Sequence, residues 1–423
     1  MHALVRRAYP LCRSITGPAV RQTLEMLAER IPLTVHEVPT GTPVLDWTVP
    51  KEWQAREAWI KGPDGRKVVD FAEHTLHLVS YSVPVHARMS RQELEAHLHS
   101  LPEQPRLIPY RTSYYRETWG FCLPHARRET LPEGEYEVFI DAELREGSLT
   151  WGELFLPGEG EREVLFSTHL CHPSLANDNL SGISVMTELA AALAQLSGRR
   201  FGYRFLFIPG TIGSITWLAG NEERVDRIAA GLVAANLGDG GPFHYKQSRQ
   251  GDAFIDRAVA RVLAESGRPF EVMRFVPFGY DERQFCSPGF NLPVGSLTRT
   301  PWGRYPEYHT SADDPGFVRP EHLAGSLATY LAVVEVLEGD RRYRNLLPKG
   351  EPQLGRRGLY GSLGGGSAKE RELALLWVLN QSDGAQSLLD VAERSGLPFR
   401  RLAAAARDLE AASLLAVLAE GES

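Results

Sequence analysis

Apolar runs alternate with amphipathic segments through the middle of the chain. The runs have the continuous Val, Ile, Leu and Phe character of strands buried on both faces, and they lie at residues 164–167, 203–208, 232–237 and 292–297. Segments with helical spacing lie at residues 179–196, 253–265 and 320–337. Buried strands that alternate with helices of about ten residues or more are typical of a mainly parallel sheet covered on both faces. We therefore expect a three-layer α/β core with its site at the carboxyl ends of the strands.

The pattern changes between residues 44 and 109. Short apolar runs there alternate with turn signals such as GPDG at residues 62–65, which is typical of a small β-rich module. We interpret residues 44–109 as an insertion into a catalytic core formed by residues 1–43 and 110–345.

The C-terminal part of the sequence has a different character. Residues 346–366 are rich in glycine and basic side chains and are interpreted as a linker. Residues 367–423 begin with a capping box at Ser367 and Glu370 and contain three short helical segments, with a tight turn at residues 396–398 before the third. This pattern predicts a winged helix-turn-helix module.

Two further local patterns precede the core strands. Residues 21–30 have the spacing of a short amphipathic helix that docks on the core. Residues 136–140 and 149–155 alternate like strands and are separated by a short turn at 146–148, which predicts a hairpin.

Composition and charge narrow the class of protein. Hydrophobic residues make up 43% and charged residues 23% of the chain, close to the average for globular proteins. The net charge of −7 disfavours nucleic acid and anionic membranes as main partners. No run approaches the ~18 apolar residues of a membrane span, and the N-terminal segment lacks the apolar centre of a signal peptide. We expect no membrane partner and a cytoplasmic location.

The last module is acidic as well. Residues 367–423 contain six Lys or Arg and nine Asp or Glu, a net charge of −3. Because phosphate contacts dominate affinity for DNA, nucleic acid is a disfavoured partner for this module. A protein partner or a homo-oligomer contact is the favoured role.

Candidate metal ligands lie where two core elements meet. His169 follows a buried strand, and Asp178 opens the next helix. Zinc favours imidazole nitrogen and carboxylate oxygen as ligands, and one carboxylate can bridge two ions. The alternative from spacing alone is that Asp178 caps the helix and His169 is a satisfied polar group near the core.

Four segments in order resemble the di-zinc aminopeptidases related to glutamate carboxypeptidase. They are Thr168-His169 with ANDNLSG at 176–182, NLGD at 236–239, YDERQF at 280–285 and YHTSAD at 308–313. The resemblance implies one or two zinc ions bound by His169, Asp178, Asp239 and His309, and a small peptide or aminoacyl substrate. More closely, the chain resembles an aminopeptidase-like branch that has an inserted β module and a C-terminal winged helix, some of whose members are associated with polysaccharide biosynthesis.

One position departs from the family pattern. Where the family has a glutamate pair, one residue being the general base and one a metal ligand, residues 207–214 read FIPGTIGS, with Gly210 at the expected glutamate. A general base typically contributes about 10²–10⁴-fold in rate. The candidate substitutes are Glu282, which borders the pocket in the resemblance, and then Asp281, Glu222 and Glu223. The alternative for Glu282 is an exposed carboxylate paired with Arg283.

Two side chains near the candidate ligands have open roles. Tyr308 is a candidate catalytic donor to the oxyanion of a tetrahedral intermediate, or else a packing aromatic. His172 is either an accessory partner of the metal site or a residue that shapes the loop. Three hypotheses follow from the whole sequence, and the least favoured, because of the acidic charge, is a transcriptional regulator that uses the winged helix. The first is a zinc-dependent aminopeptidase-like amidohydrolase, and the second is a catalytically reduced scaffold, motivated by Gly210.

Overall fold

The computed structural model describes residues 1–359 and 366–418. These residues form two compact units, one built from residues 1–253 and 269–328, the other from residues 254–268 and 329 onward. Residues 360–365 of the predicted linker and residues 419–423 of the predicted C-terminal module lie outside the described residues.

Nineteen strands are present in the described residues. In chain order they are β1 (Thr34–Pro39), β2 (Pro43–Val44), β3 (Trp47–Thr48), β4 (Glu52–Lys61), β5 (Lys67–Asp70), β6 (Val85–Ser90), β7 (Leu98–His99), β8 (Phe121–Cys122), β9 (Glu135–Arg145), β10 (Ser148–Leu156), β11 (Glu163–His169), β12 (Gly202–Ile208), β13 (Ile228–Ala234), β14 (Phe243–Lys246), β15 (Phe270–Met273), β16 (Val294–Thr298), β17 (Arg342–Asn345), β18 (Asp383–Ser387) and β19 (Leu415–Val417).

Twelve α-helices accompany these strands in the same described part of the chain. They are α1 (His2–Ala8), α2 (Pro18–Ala28), α3 (Arg91–Leu94), α4 (His125–Glu129), α5 (Gly182–Ala194), α6 (Ile212–Ala219), α7 (Phe254–Glu265), α8 (Glu282–Phe285), α9 (Pro320–Gly339), α10 (Gly366–Gln381), α11 (Leu388–Ser395) and α12 (Phe399–Ala411). None of the described helices is both long enough and apolar enough to cross a bilayer.

The first unit is organised around an eight-stranded sheet with the order β1-β10-β12-β11-β13-β16-β14-β15. Its central strands β12, β11, β13 and β16 are parallel to one another. The pairs β1–β10, β10–β12 and β14–β16 are antiparallel, so the sheet is mixed. Every residue of β11 and β12 is buried, which explains their continuous apolar sequence. The expected α/β core is confirmed.

Helices on the central sheet create the core next to the site. α6 and α8 pack against each other, and Trp217 and Phe285 from these helices join one buried cluster with Leu165 and Leu206 of the sheet. α5 packs against β11 and buries its apolar stripe. α5 and α6 begin after the carboxyl ends of the parallel strands β11 and β12, at the edge where the loops carry the candidate ligands.

A second sheet in this unit has the order β5-β4-β9-β6. It contains β9, which lies outside residues 44–109 and pairs with both β4 and β6. The hairpin predicted for residues 136–140 and 149–155 was wrong in its pairing. Both strands form, but β10 pairs with β1 and β12 of the central sheet. Alternation identifies a half-buried strand and carries no information about its partner.

A buried carboxylate joins the two sheets. Glu52 on β4 accepts hydrogen bonds from Arg21 of α2, from Arg145 of β9 and from the backbone N–H of Ser148 on β10. Burial alone would raise the pKa of Glu52, but the hydrogen bonds from Arg21 and Arg145 lower it to about 2. Only residues 146 and 147 separate β9 from β10. The second sheet is therefore anchored directly to the first.

The second unit contains a winged helix, as predicted. A three-stranded sheet with the order β18-β17-β19 accompanies α10, α11 and α12. β17 begins at Arg342, before the module start predicted at residue 367, and pairs with strands on either side. Ser387 and Asp390 form a capping box at the start of α11, and Gly396 ends this helix at a φ of 70°.

Candidate metal centre

The loops after β11 and β16 meet the turn that precedes α5. His169 is the last residue of β11, and Asp178 lies in the irregular turn Ala176–Ser181. His309 lies in the long loop between β16 and α9, where its φ is 55° and its carbonyl accepts the backbone N–H of Tyr110. A non-glycine residue in this left-handed conformation is uncommon and is often found at functional sites.

Each carboxylate oxygen of Asp178 has its own imidazole partner. His169 Nε2 lies 2.9 Å from Asp178 Oδ1, and His309 Nε2 lies 2.9 Å from Asp178 Oδ2. Asp178 is fully buried. Burial alone would raise the pKa of Asp178, but nearby His172 and the hydrogen bonds from His169 and His309 hold it well below its usual value. Asp178 is therefore an ionised carboxylate between two histidines.

His172 belongs to the same cluster. Its Nε2 lies 3.9 Å from Asp178 Oδ2, and its ligand nitrogen lies within 4.8 Å of the ligand atoms of His169 and Asp178. Burial, the main cause, lowers the pKa of His172 well below its usual value. The imidazole is therefore neutral at physiological pH, which is the form that binds a metal.

The donor set fits zinc. Neutral imidazole and carboxylate are ligands that zinc prefers, and an aspartate with one histidine on each oxygen is suited to bridging two ions. The residues present would supply Asp178, His169 and His309, with His172 as a further nitrogen at the same point.

Tyr280 and Asn236 also contact the cluster, and the sequence analysis did not single them out. The Tyr280 hydroxyl donates to Asp178 Oδ1 at 3.2 Å and accepts from Asn236 Nδ2 at 3.1 Å. The ring of Tyr280 stacks on that of His169 with centroids 4.6 Å apart. Asn236 lies two residues beyond β13, in a left-handed conformation with φ 51°. In the sequence, the position of Asn236 near the end of a predicted strand was the signal that could have identified it as a site residue.

Asp239 occupies a different environment from the other predicted ligands. Its Oδ1 accepts from Thr300 Oγ1 at 2.6 Å and from the backbone N–H of Gly241, and its Oδ2 accepts from Asn177 Nδ2 at 3.1 Å. Within the described part of the chain, the group of ligand atoms that lie within 4.8 Å of one another contains His169, His172 and Asp178. Neither Asp239 nor His309 belongs to this group, but His309 contacts Asp178 directly. The carboxylate of Asp239 is thus engaged in ordering loops beside the cluster.

Asp313 supports the turn that carries Asp178. Its carboxylate accepts the backbone N–H groups of Asn177 at 2.5 Å and of Asp178 at 2.9 Å. Burial, the largest effect, raises the pKa of Asp313 to about 8. Asp313 therefore fixes the backbone of Asp178 without being a member of the metal-binding group.

Tyr308 lies beside His309, with stacked rings whose centroids are 3.9 Å apart. Burial raises the pKa of Tyr308 well above its usual value, so the phenol stays protonated. Tyr308 lines the cavity above the cluster and can act there as a hydrogen-bond donor.

The two acidic residues of the YDERQF segment have different surroundings. Glu282 is buried and forms an ion pair with Lys246, and it lines a small cavity of about 20 Å³. Asp281 is also buried but lines the larger cavity with His169. Glu222 and Glu223 are exposed beyond α6.

The larger cavity has a volume of about 370 Å³. Its lining includes His169, His172, Asp281 and Arg283. Aromatic side chains from the segment before β4 and from the loop before β8 complete it, among them the exposed pair Trp47 and Tyr115, whose ring centroids are 5.5 Å apart. The cavity has the size and the lining of a small-molecule site.

Comparison with known proteins assigns the family. Residues 2–340 match the family described as a domain of unknown function, DUF4910, and residues 341–417 match a winged helix-turn-helix family. The chain belongs to the DUF4910 family. A relative from Clostridium acetobutylicum is 50% identical over 416 residues, which cover 98% of this DUF4910 chain and 95% of the relative. It carries the provisional name of a polysaccharide biosynthesis protein with an aminopeptidase-like domain.

Solved structures agree with this assignment. A crystal structure from Clostridium acetobutylicum, provisionally described as a peptidase, has a TM-score of 0.94 and 48% identity, with 99% of the DUF4910 chain and 96% of that chain covered. A zinc aminopeptidase from Bacillus subtilis has a TM-score of 0.59 at 12% identity, with 79% of this chain and 94% of that chain covered. The second likeness shows that the DUF4910 chain shares the zinc aminopeptidase fold.

Proposed function

We propose that this protein is a zinc-dependent amidohydrolase of the aminopeptidase type. The observation that carries the proposal is the arrangement at Asp178, whose two oxygens each face a separate imidazole, one of which, that of His169, lines a cavity. Zinc bound there would polarise the carbonyl of an amide and lower the pKa of water. His169, Asp178 and His309 are the proposed ligands, and Asp239 orders the adjacent loops.

Residues around the cavity supply the remaining functions. The protonated phenol of Tyr308 is placed to donate to the oxygen that gains negative charge when the carbonyl is attacked. Tyr280 holds the carboxylate of Asp178 through its hydroxyl and the ring of His169 by stacking. Trp47 and Tyr115 at the mouth provide an apolar surface for the side chain or sugar ring of a substrate.

The proposed substrate is a small peptide or an aminoacyl or acyl-amino conjugate. A cavity of about 370 Å³ accommodates one or two residues rather than a folded protein. The name of the Clostridium acetobutylicum relative places that protein in polysaccharide biosynthesis. On this basis, aminoacyl conjugates of amino sugars are included with peptides in the proposed substrate class.

The test uses full-length protein purified without chelator. Elemental analysis would give zinc per chain, and a panel of aminoacyl nitroanilides, dipeptides and aminoacylated amino sugars would give turnover. We expect bound zinc and turnover in the native protein and loss of both in Asp178→Asn. Zinc-loaded native protein that hydrolyses no member of the panel would overturn the proposal.

Gly210 favours a second candidate function, a binding scaffold with reduced catalysis. The candidate predicts tight binding of aminoacyl ligands in the cavity with turnover far below the common enzymatic range of about 1–10³ per second. Turnover within that range would eliminate it.

A further inference from the structure

Gly210 lies beside the metal centre, at the start of the loop between β12 and α6. A Cβ atom built at this position would lie 3.2 Å from the Cβ of His169. The same atom would lie 3.4 Å from each of the two carboxylate oxygens of Asp281. A side chain at position 210 would therefore point at the carboxylate of Asp281. The space that the absent glutamate would enter is bordered by a carboxylate from another loop.

The surroundings of Asp281 are unusual for a buried acid. Asp281 is 0% exposed, and its Oδ1 accepts a hydrogen bond from Ser214 Oγ at 2.8 Å. In the described part of the chain, Oδ2 has no hydrogen-bond partner. A buried carboxylate oxygen without a donor is costly and calls for an explanation, such as a role in catalysis. Asp281 lines the cavity together with His169 and His172, so a molecule in that cavity can supply the missing donor.

The protonation behaviour of Asp281 is consistent with proton transfer. Burial, the largest effect, raises the pKa of Asp281 to about 6, while nearby His169 and the hydrogen bond from Ser214 act in the opposite direction. A catalytic base works best when its pKa lies near the working pH. Glu282 is less suited because its carboxylate is paired with Lys246 and is absent from the lining of the larger cavity.

We propose that Asp281 is the general base of this protein and replaces the glutamate expected at position 210. The proposal rests on the amidohydrolase function proposed above. Asp281 accepts one proton from the attacking water while the water oxygen bonds to the carbonyl carbon. The same proton passes to the nitrogen of the leaving amine as the C–N bond breaks. Asp281 returns to its carboxylate form, and the second proton of the water stays with the product acid.

The first test compares native protein with Asp281→Asn and with Asp226→Asn, a matched change at an exposed aspartate. Zinc per chain would be measured by elemental analysis, and binding of leucine hydroxamate to the zinc-loaded full-length protein by calorimetry. The hydroxamate presents an acidic proton that a base in the cavity can accept. For Asp281→Asn we expect native zinc content and affinity lowered by roughly 10-fold or more, as for a lost charged hydrogen bond. Asp226→Asn should match the native protein in both measurements.

Two outcomes would overturn the proposal. Loss of zinc in Asp281→Asn would make Asp281 a metal ligand or a structural residue, and native affinity for the hydroxamate would leave it without a role in the cavity. If Asp281→Asn fails to fold, Ser214→Ala provides the second variant, because it removes the hydrogen bond to Oδ1 and keeps the carboxylate. Ser214→Ala should weaken hydroxamate binding and move its pH dependence upward, since a hydrogen bond favours the ionised acid. If Ser214→Ala leaves both the hydroxamate affinity and its pH dependence unchanged, the result would count against Asp281 as the general base.

A rescue experiment tests the replacement directly. In the Asp281→Asn background, Gly210→Glu returns a carboxylate to the same space from the opposite side, and we expect it to restore hydroxamate affinity. In the native background, the same change places two carboxylates together, and we expect no gain. If Gly210→Glu changes the hydroxamate affinity equally in the native and the Asp281→Asn backgrounds, the proposed replacement of the glutamate by Asp281 is contradicted.

Failure of this proposal is distinguishable from failure of the proposed function. Hydroxamate binding that depends on Asp281, in a protein that hydrolyses none of the substrate panel, would remove the amidohydrolase function alone. Native turnover that Asp281→Asn leaves unchanged would remove the role of Asp281 alone.

Discussion

The candidate metal centre and the winged helix use charged residues in opposite ways. At the candidate metal centre, Asp178, Asp281 and Asp313 are each 0% exposed. Charged residues of the winged helix pair at the surface, as in the contact of Arg400 with Glu335 of α9, whose side chains are 69% and 47% exposed. Its interior is apolar, with Leu389, Leu402 and Leu409 buried.

This difference separates a region built for chemistry from a region built for stability or contact. Burying a carboxylate costs free energy unless it is hydrogen-bonded or paired, so three buried acids at the candidate metal centre indicate a function that needs them. Exposed ion pairs contribute little and are common on any surface. Two of the three arginines of α12 have acidic partners, since Arg400 pairs with Glu335 and Arg401 with Glu370. This pairing agrees with the acidic charge of the module and disfavours a role in binding DNA.

The largest effect should come from Asp178→Asn. The change removes the negative charge that faces His169 and His309, and we expect zinc affinity to fall by at least about 100-fold, the upper end of what a lost partner of a ligand costs. Competition with a chelating dye would measure this. Asp239→Asn is the comparison variant, because the hydrogen bonds of Asp239 predict that zinc is retained when its charge is removed. Equal loss of zinc in Asp178→Asn and Asp239→Asn would make Asp239 a ligand.

Asp313→Asn should have the next largest effect. An amide in place of the carboxylate retains one acceptor oxygen for the N–H groups of Asn177 and Asp178, so one buried donor is left unpaired. We expect the free energy of unfolding of metal-free protein to fall by about 1–3 kcal/mol. Urea denaturation would measure it, and an unchanged midpoint would show that Asp313 does not support the turn.

The pH dependence of activity should reflect the buried acid at the cavity. Burial raises the pKa of Asp281 to about 6, and the base must be ionised to accept a proton. We therefore expect kcat/KM to fall about tenfold per pH unit below this value, which gives the pH profile an acidic limb. The positive charge of bound zinc would lower the pKa of Asp281 and so shift this limb to lower pH. The limb should be absent from the residual activity of Asp281→Asn. A limb that persists in this variant would belong to another group.

The smallest effect should come from Arg401→Ala in the winged helix. The pair with Glu370 is partly exposed, so its loss should change the free energy of unfolding by less than about 1 kcal/mol. Thermal unfolding would detect it, and zinc content should be unchanged. A larger loss of stability would mean that exposed ion pairs contribute substantially to the stability of the winged helix, and it would contradict the view that they contribute little.

The sequence predicted the fold more completely than the site. The four central strands were visible because each is buried on both faces, and the winged helix was visible from its helical segments and turn. The pairing of β9 was not predictable, because alternation in 136–140 is equally compatible with either sheet. The short strands β14 and β15 gave no distinct apolar run.

Within the site, the residues on recognisable segments were identified and their neighbours were not. His169, Asp178 and His309 meet as the motifs implied. The roles of Asn236 and Tyr280 depend on a hydrogen-bond chain that forms only when β13 and the loop before α8 are brought together. Glu282 was predicted ahead of Asp281 as the substitute base, but adjacent acids in one segment cannot be ranked without knowing which of them faces the cavity.

The attachment of the second sheet at Glu52 has a consequence for how ligands enter and leave. Trp47 of β3 and Tyr115 of the loop between β7 and β8 line the cavity. β9 of the second sheet continues into β10 of the first sheet after two residues. A hinged opening of the kind found in clamshell enzymes would separate the two sheets and would require breaking the contacts of Glu52 with Arg21 of α2 and with the backbone N–H of Ser148 on β10. We therefore expect ligands to enter by rotation of the exposed aromatic side chains Trp47 and Tyr115 rather than by a hinged opening, so the space between these two rings would limit the size of the group that reaches His169.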